Sequence, residues 1–340
     1  MTVYPGLLAP LILPLLSWPV ARWLAPRMSP PAATLLLTFL ALVFAAGSTA
    51  ALTLGAAAGL SEVPLVADLG DFSASALSST ATVPAAISIT CGVLLPAAVV
   101  SATAAVRDQW RWYRRVHREL DEHSPADGVV ILPGTEPVAF AIAGRGGRIA
   151  VSRGMLAALD GSERAALLLH ERAHLRLRHA SYAAAGVLAA AVNPLVRPLV
   201  TTARFTMERW ADETAASGVG DRRVVATAVA KAALAGHQSS YALAAAGGPV
   251  PQRVRALLDS SPSGSDSRRR GLLTAVAVAV VLGGCGWSAG AGAQAVLSLH
   301  ADIEAARPAS CALEPVVPQR PHGQALLTTA REDHRECAER

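Results

Sequence analysis

Apolar and polar positions fall in long blocks along this chain. Four stretches carry no Asp, Glu, Lys or Arg at all: residues 1–21, 28–61, 72–106 and 271–299. A spanning helix needs about 20 apolar residues, so the pattern predicts four membrane helices, at about 5–21, 33–58, 82–106 and 271–298. Pro5, Pro10, Pro14 and Pro19 interrupt the first, which a membrane helix tolerates where neighbours satisfy the freed carbonyls. That segment lacks the basic start and small-residue cleavage site of a signal peptide, so an uncleaved anchor is expected.

Residues 119–267 have the mixed polarity of a folded domain. Val129-Val130-Ile131-Leu132, Ala139-Phe140-Ala141-Ile142 and Arg148-Ile149-Ala150-Val151-Ser152 read as strands, the last two forming a hairpin about the glycines at 144, 146 and 147. The hairpin either completes a small sheet or also offers an edge strand to an extended peptide. From Gly161 the pattern turns helical: Ser162 and Glu163 suit a helix start, and Ala165, Leu168, Leu169 and Leu175 form an apolar stripe. A second unbroken helix is expected over 206–216. Residues 183–200 are apolar but carry Arg197, Pro194 and Pro198, which favours a helical hairpin lying against the bilayer over a pair of half-spans. The expected organisation is a membrane region at 1–118, a domain at 119–267, a fourth span at 271–298 and a tail at 299–340. The fold class is a mainly α integral membrane protein with a small α+β domain.

Composition agrees with lipid as a partner: 52% of the 340 residues are hydrophobic and 16% charged, against about 25% charged in typical soluble domains. Charge orients the spans, because Lys and Arg near span ends stay in the cytoplasm. Arg22 and Arg27 separate the first two spans; Glu62, Asp68 and Asp71 separate the next two. Arg107, Arg111, Arg114, Arg115 and Arg118 follow the third, and Arg268, Arg269 and Arg270 precede the fourth. This predicts a multi-pass plasma-membrane protein with both termini extracytoplasmic and residues 107–270 cytoplasmic. Trp18, Trp23, Trp110, Trp112 and Trp287 lie near span ends, where such rings favour the headgroup layer; Trp210 does not fit. Much of the net charge of +5 sits beside span ends and aromatics are only 4%, so direct nucleic-acid binding is not expected. Cys311 and Cys337, in the tail, are expected to pair in an oxidising space.

The chemistry is concentrated in His170-Glu171-Arg172-Ala173-His174. Residues i and i+4 share a helix face, so both imidazoles can reach one Zn²⁺, while Glu171 is rotated off the pair to act as a base. The bland alternative is two histidines on a solvated face. A third ligand is expected from Met207-Glu208-Arg209-Trp210-Ala211-Asp212-Glu213: Glu208 as ligand and Asp212 holding one imidazole by its other N–H, with Glu213 competing for either role. His179 reads as a surface histidine.

These motifs, with Ser152-Arg153-Gly154-Met155-Leu156 before and His174-Leu175-Arg176-Leu177-Arg178-His179 after, resemble the integral-membrane gluzincins, more closely the BlaR1/MecR1-type M56 peptidases than the HtpX/Ste24-type M48 ones. The resemblance, over about 90–260, implies a gluzincin-like zinc endopeptidase acting on a cytoplasmic or membrane-proximal protein, such as a transcriptional repressor. It implies His170, His174 and Glu208 as zinc ligands, Asp212 beside them and Glu171 as general base and acid. Pro251-Gln252-Arg253-Val254 is similar to a Pro-x-x-Arg element of the related enzymes, which ranks Arg253 first, before His237 and Tyr241, as the group stabilising the oxyanion. The tail carries no Ser-x-x-Lys motif, so direct β-lactam acylation through that motif is not expected. A signalling or scaffold protein with a structural zinc is the competing reading. Transport is disfavoured because no charge lies within the spans.

Overall fold

The computed structural model of the chain describes residues 25–60, 84–144, 146–236 and 250–259, with isolated residues at 13–15, 18–19, 21–23, 271–272, 275, 297 and 301. The first and fourth expected spans fall almost wholly outside the described residues, as do the tail with Cys311 and Cys337, His237 and Tyr241.

The second and third expected spans are helices α1 (Pro30–Leu60) and α2 (Ala85–Asp121). Among the described residues, these two are long and apolar enough to cross a membrane. They pack antiparallel. A Cβ on Gly55 would lie 2.5 Å from Cys91 Sγ, and one on Gly59 2.6 Å from Ser88 Cβ. Small residues four apart thus let the two backbones approach, as in membrane helix pairs. Ile89, Val93, Leu94, Val99 and Val100 stand exposed on α2, and removing such apolar area from water is worth about 25 cal/mol per Å², so lipid suits this face.

At 37 residues α2 is about 55 Å long, well beyond a hydrocarbon core of about 30 Å. A helix of this length crossing a bilayer would leave the apolar layer still as helix. In its last turns Val116 and Leu120 pack against Val130, Ile142 and Ala150. The boundary expected at residue 118 falls inside this helix.

The sheet contains β1 (Val129–Leu132), β2 (Ala139–Ile142) and β3 (Arg148–Ser152) in the order β1-β3-β2. The bounds match the apolar runs. β2 and β3 form the expected antiparallel hairpin, Ala139 opposite Val151 and Ile142 opposite Arg148, while β1 pairs parallel to β3, leaving β2 at an edge. In the turn, Gly144 has φ +91° and the Tyr113 hydroxyl of α2 occupies the place a Cβ would take, so only glycine suits both backbone and neighbour.

Helix α3 (Arg153–Ala158) follows, and Asp160 caps α4 (Gly161–Arg176). Asp160 Oδ1 accepts the Glu163 N–H at 2.9 Å and Glu163 Oε2 accepts the Asp160 N–H at 2.9 Å, a reciprocal capping box. Next come α5 (His179–Val192), a 3-10 turn (Pro194–Val196), α6 (Arg197–Val219), α7 (Arg222–Gly236) and α8 (Val250–Leu258). The α5–α6 hairpin lies lengthwise along α1: Ala189, Val196, Leu199, Val200 and Ala203 share a core with Ala33, Leu37, Ala41 and Ala45. Thr34 Oγ1 donates to Thr206 Oγ1 at 2.9 Å. At the hairpin tip, Asn193 Nδ2 donates to Ser48 Oγ at 2.7 Å, about 27 Å along α1 from its start.

Candidate metal centre

Helix α4 presents His170 and His174 one turn apart, and α6 brings Glu208 and Asp212 against them. His170 Nε2 and His174 Nε2 are 3.1 Å apart; Glu208 Oε2 lies 3.5 Å from the first and Oε1 3.6 Å from the second. One donor atom from each of His170, His174 and Glu208 lies within 4.8 Å of the others. The second nitrogen of His170, Nδ1, is 3.0 Å from Asp212 Oδ1, the contact expected of Asp212. With that proton given to Asp212, His170 Nε2 is left with a lone pair. Two imidazole lone pairs and a carboxylate aimed at one point repel one another unless a proton, as on His170 in the metal-free protein, or a metal cation in its place lies between them. Two metal–nitrogen bonds of about 2.0–2.1 Å at a tetrahedral angle separate their nitrogens by about 3.3 Å. The donor set therefore fits zinc.

Arg253, from α8, is buried beside the acids. Its Nε donates to Asp212 Oδ2 and its Nη2 to Asp212 Oδ1, both at 2.7 Å, and its Nη1 lies 3.0 Å from Glu208 Oε2. The guanidinium expected beside the reacting carbonyl is thus engaged by two carboxylates. Glu213 takes neither role proposed for it: its oxygens accept Arg222 Nη2 at 2.8 Å and Nη1 at 2.5 Å.

His179 requires a correction. It is buried at 3% exposure, with Nδ1 3.0 Å from His174 Nδ1 and its ring tilted against that of Trp210, centroids 5.2 Å apart. Helix α4 ends at Arg176, Arg178 takes a left-handed φ of 55°, and the chain turns back to bring His179 under the ligand. Trp210, which fitted no membrane edge, packs here.

The electrostatics divide the site. Burial opposes protonation of His170, but the Asp212 and Glu208 carboxylates outweigh it and lift its pKa to about 10 in the metal-free protein. Burial instead drives His174 down to about 3 and His179 to about 4. Burial would raise Glu208, yet Arg253 and the His170 contact hold it at about 2. Asp212 lies below the usual carboxylate range, since Arg253 overcomes its burial. Glu171, buried and outside the donor trio, is pushed up to about 7 by burial.

Two cavities meet at these residues. A pocket of about 150 Å³ is lined by His170, Glu171, Val138, Leu167, Val229 and Arg253, among others. A cleft of about 790 Å³ on the other side runs between Trp110 and Tyr113 of α2 and Ala183 and Val187 of α5, reaching Glu171, His174 and Glu208. Ala139 of β2 lines both.

The family model for Peptidase family M48 matches residues 111–206. M48 is the gluzincin family that the sequence placed second, after M56. The matched segment runs from within α2 through His170 and His174 and stops two residues before Glu208, so the third donor rests on the geometry alone. No curated protein and no solved structure matches the chain. The M48 match and the two apolar helices together point to membrane association. Over residues 111–206 the chain is similar to the M48 peptidases, which supports a metallopeptidase function, and it carries a triad, His170, His174 and Glu208, able to hold the metal such enzymes require.

Proposed function

We propose that the chain is a membrane-embedded, zinc-dependent endopeptidase. The convergence of His170 Nε2, His174 Nε2 and the Glu208 carboxylate within 4.8 Å, with the carboxyl of Glu171 alongside and held by the Ala141 backbone, carries this reading. A bound zinc would supply polarisation of a peptide carbonyl and acidification of a water; His170, His174 and Glu208 would hold it. Asp212, whose Oδ1 lies 3.0 Å from His170 Nδ1, pairs with that ring and would orient it. Arg253 positions both carboxylates. Glu171, with a pKa lifted to about 7, is poised to take a proton from the attacking water and return it to the leaving amine. β2, an edge strand beside the site, supports the peptide-pairing role considered for the hairpin. Among the described residues the metal-ligating group contains three side chains, in keeping with a catalytic site that keeps a position open rather than a closed structural one.

The cleft between α2 and α5 favours substrates at the membrane surface, and the M56-like wording of the motif favours a transcriptional repressor among them. Within this reading the arginines flanking the apolar stretches support a cytoplasmic site with both termini outside. The test uses full-length protein in detergent with casein as substrate. Glu171→Gln is expected to abolish cleavage while retaining stoichiometric zinc; a fully active variant would overturn the mechanism, and a wild-type protein that binds no metal would overturn the reading.

A further inference from the structure

The two proposed histidine ligands are held by different partners. His170 Nδ1 meets the carboxylate of Asp212, whereas His174 Nδ1 meets another imidazole, His179 Nδ1, at 3.0 Å. That contact has only one workable proton arrangement. His174 Nε2 faces His170 Nε2 and Glu208, so a metal there needs the Nε2 lone pair, and the neutral ring then carries its proton on Nδ1. Two nitrogens at 3.0 Å must comprise one donor and one acceptor, so His179 Nδ1 accepts and His179 keeps its own proton on Nε2. That Nε2 is buried and has no hydrogen-bond partner among the described residues. A buried N–H without a partner is penalised, which is understandable where the other ring nitrogen has a task.

The surroundings hold His179 in this attitude. It is the first residue of α5, set by the left-handed turn at Arg178, and Trp210 of the Glu208-bearing helix packs against its ring. It is therefore gripped by the helix that opens the α5–α6 hairpin and by the helix that brings the acidic ligand. We propose that His179 is a positioning residue of the metal centre: its Nδ1 lone pair accepts the Nδ1–H of His174 and fixes the tautomer that leaves His174 Nε2 for the metal.

This inference rests on the zinc reading above, and its test separates the two. Zinc affinity of the full-length protein in detergent is measured by competition with a chromophoric chelator, alongside thermal unfolding of the metal-free forms. Asn at 179 keeps an acceptor near the position of Nδ1 without a ring; Phe keeps a ring for Trp210 without an acceptor. His179→Asn is expected to bind zinc within about threefold of wild type, and His179→Phe to lose ten- to a hundredfold, with the cobalt-substituted visible spectrum altered only in the Phe variant. Wild-type affinity in His179→Phe overturns the proposal, as do indistinguishable Asn and Phe variants. Loss of the fold in either variant assigns His179 to packing and overturns it too. A wild-type protein that binds no zinc fails the zinc reading itself.

Discussion

The two sides of the metal centre show two ways of holding the same ligand type. On the His170 side an ionic chain runs from imidazole to Asp212 to Arg253 and back to Glu208. On the His174 side a neutral imidazole and an indole do the work. Both rings are buried, yet one pKa is lifted to about 10 and the other lowered to about 3. The difference lies in the neighbours: burial favours the neutral ring on both sides and Glu208 lies beside both, and only His170 has a second carboxylate, Asp212, to reverse it. An ionic support is rigid and costly to break; a neutral one is cheaper to break and depends on shape.

The largest effect expected from breaking this contrast is that of Asp212→Ala, which leaves the buried Arg253 with one carboxylate instead of two and His170 with no acceptor. The variant is expected to lose about 3–5 kcal/mol of stability, as in other broken buried pairs, together with at least tenfold in zinc affinity. Denaturant unfolding in detergent and chelator competition read both; a loss below about 1 kcal/mol would mean that the ionic chain is not what supports this side.

An intermediate effect concerns pH in the metal-free protein. His170, raised from 6.5 to about 10, adds stability that is full below pH 6.5 and lost as pH rises toward 10. His174, lowered from 6.5 to about 3, adds stability that is full above pH 6.5 and lost as pH falls toward 3; Glu208, lowered from 4.5 to about 2, deepens the acid loss below pH 4.5. The thermal midpoint should therefore peak near pH 6.5 and fall on both sides. Asp212→Asn removes one of the two charges that keep His170 protonated, the other being Glu208, so the alkaline fall should lessen while the acid fall persists. Scanning fluorimetry across pH would refute the division if both limbs changed together.

The smallest effect is expected outside both sides. Glu213→Gln breaks a half-exposed pair with Arg222, worth about 1 kcal/mol or less, and should leave zinc affinity unaltered; a tenfold loss of metal would return Glu213 to the site.

What could be read from the chain follows from what is local. Strand bounds came from short apolar runs, and the His170, Glu171 and His174 geometry from a spacing that repeats within one helix. Glu208 and Asp212 were legible because the same spacing recurs on a breaker-free segment. His179 was not, because its position depends on a backbone reversal at Arg178, a non-glycine residue with a left-handed φ that no residue preference announces. Arg253 was picked out by a short motif, but its partners lie 41 and 45 residues upstream, beyond any local pattern. The parallel pairing of β1 with β3 is likewise a matter of tertiary register. The end of the third span was placed by charge; charge ends a span without ending a helix, so the continuation of α2 to Asp121 left no mark.

That continuation ties the sheet beside the candidate site to the apolar stretch of α2. One helix carries the lipid-facing Val99 and Val100, a wall of the cleft at Trp110 and Tyr113, the turn contact at Gly144, and Val116 and Leu120 in the core under the sheet. An apolar stretch meets a thicker or thinner bilayer by changing its tilt. Pro96 lies inside this helix and is a place where it can bend; a change of tilt carried past Pro96 would move the β2–β3 turn and the cleft wall with it. In the proposed membrane-embedded enzyme, bilayer thickness would then be one of the coordinates that set the width of the cleft.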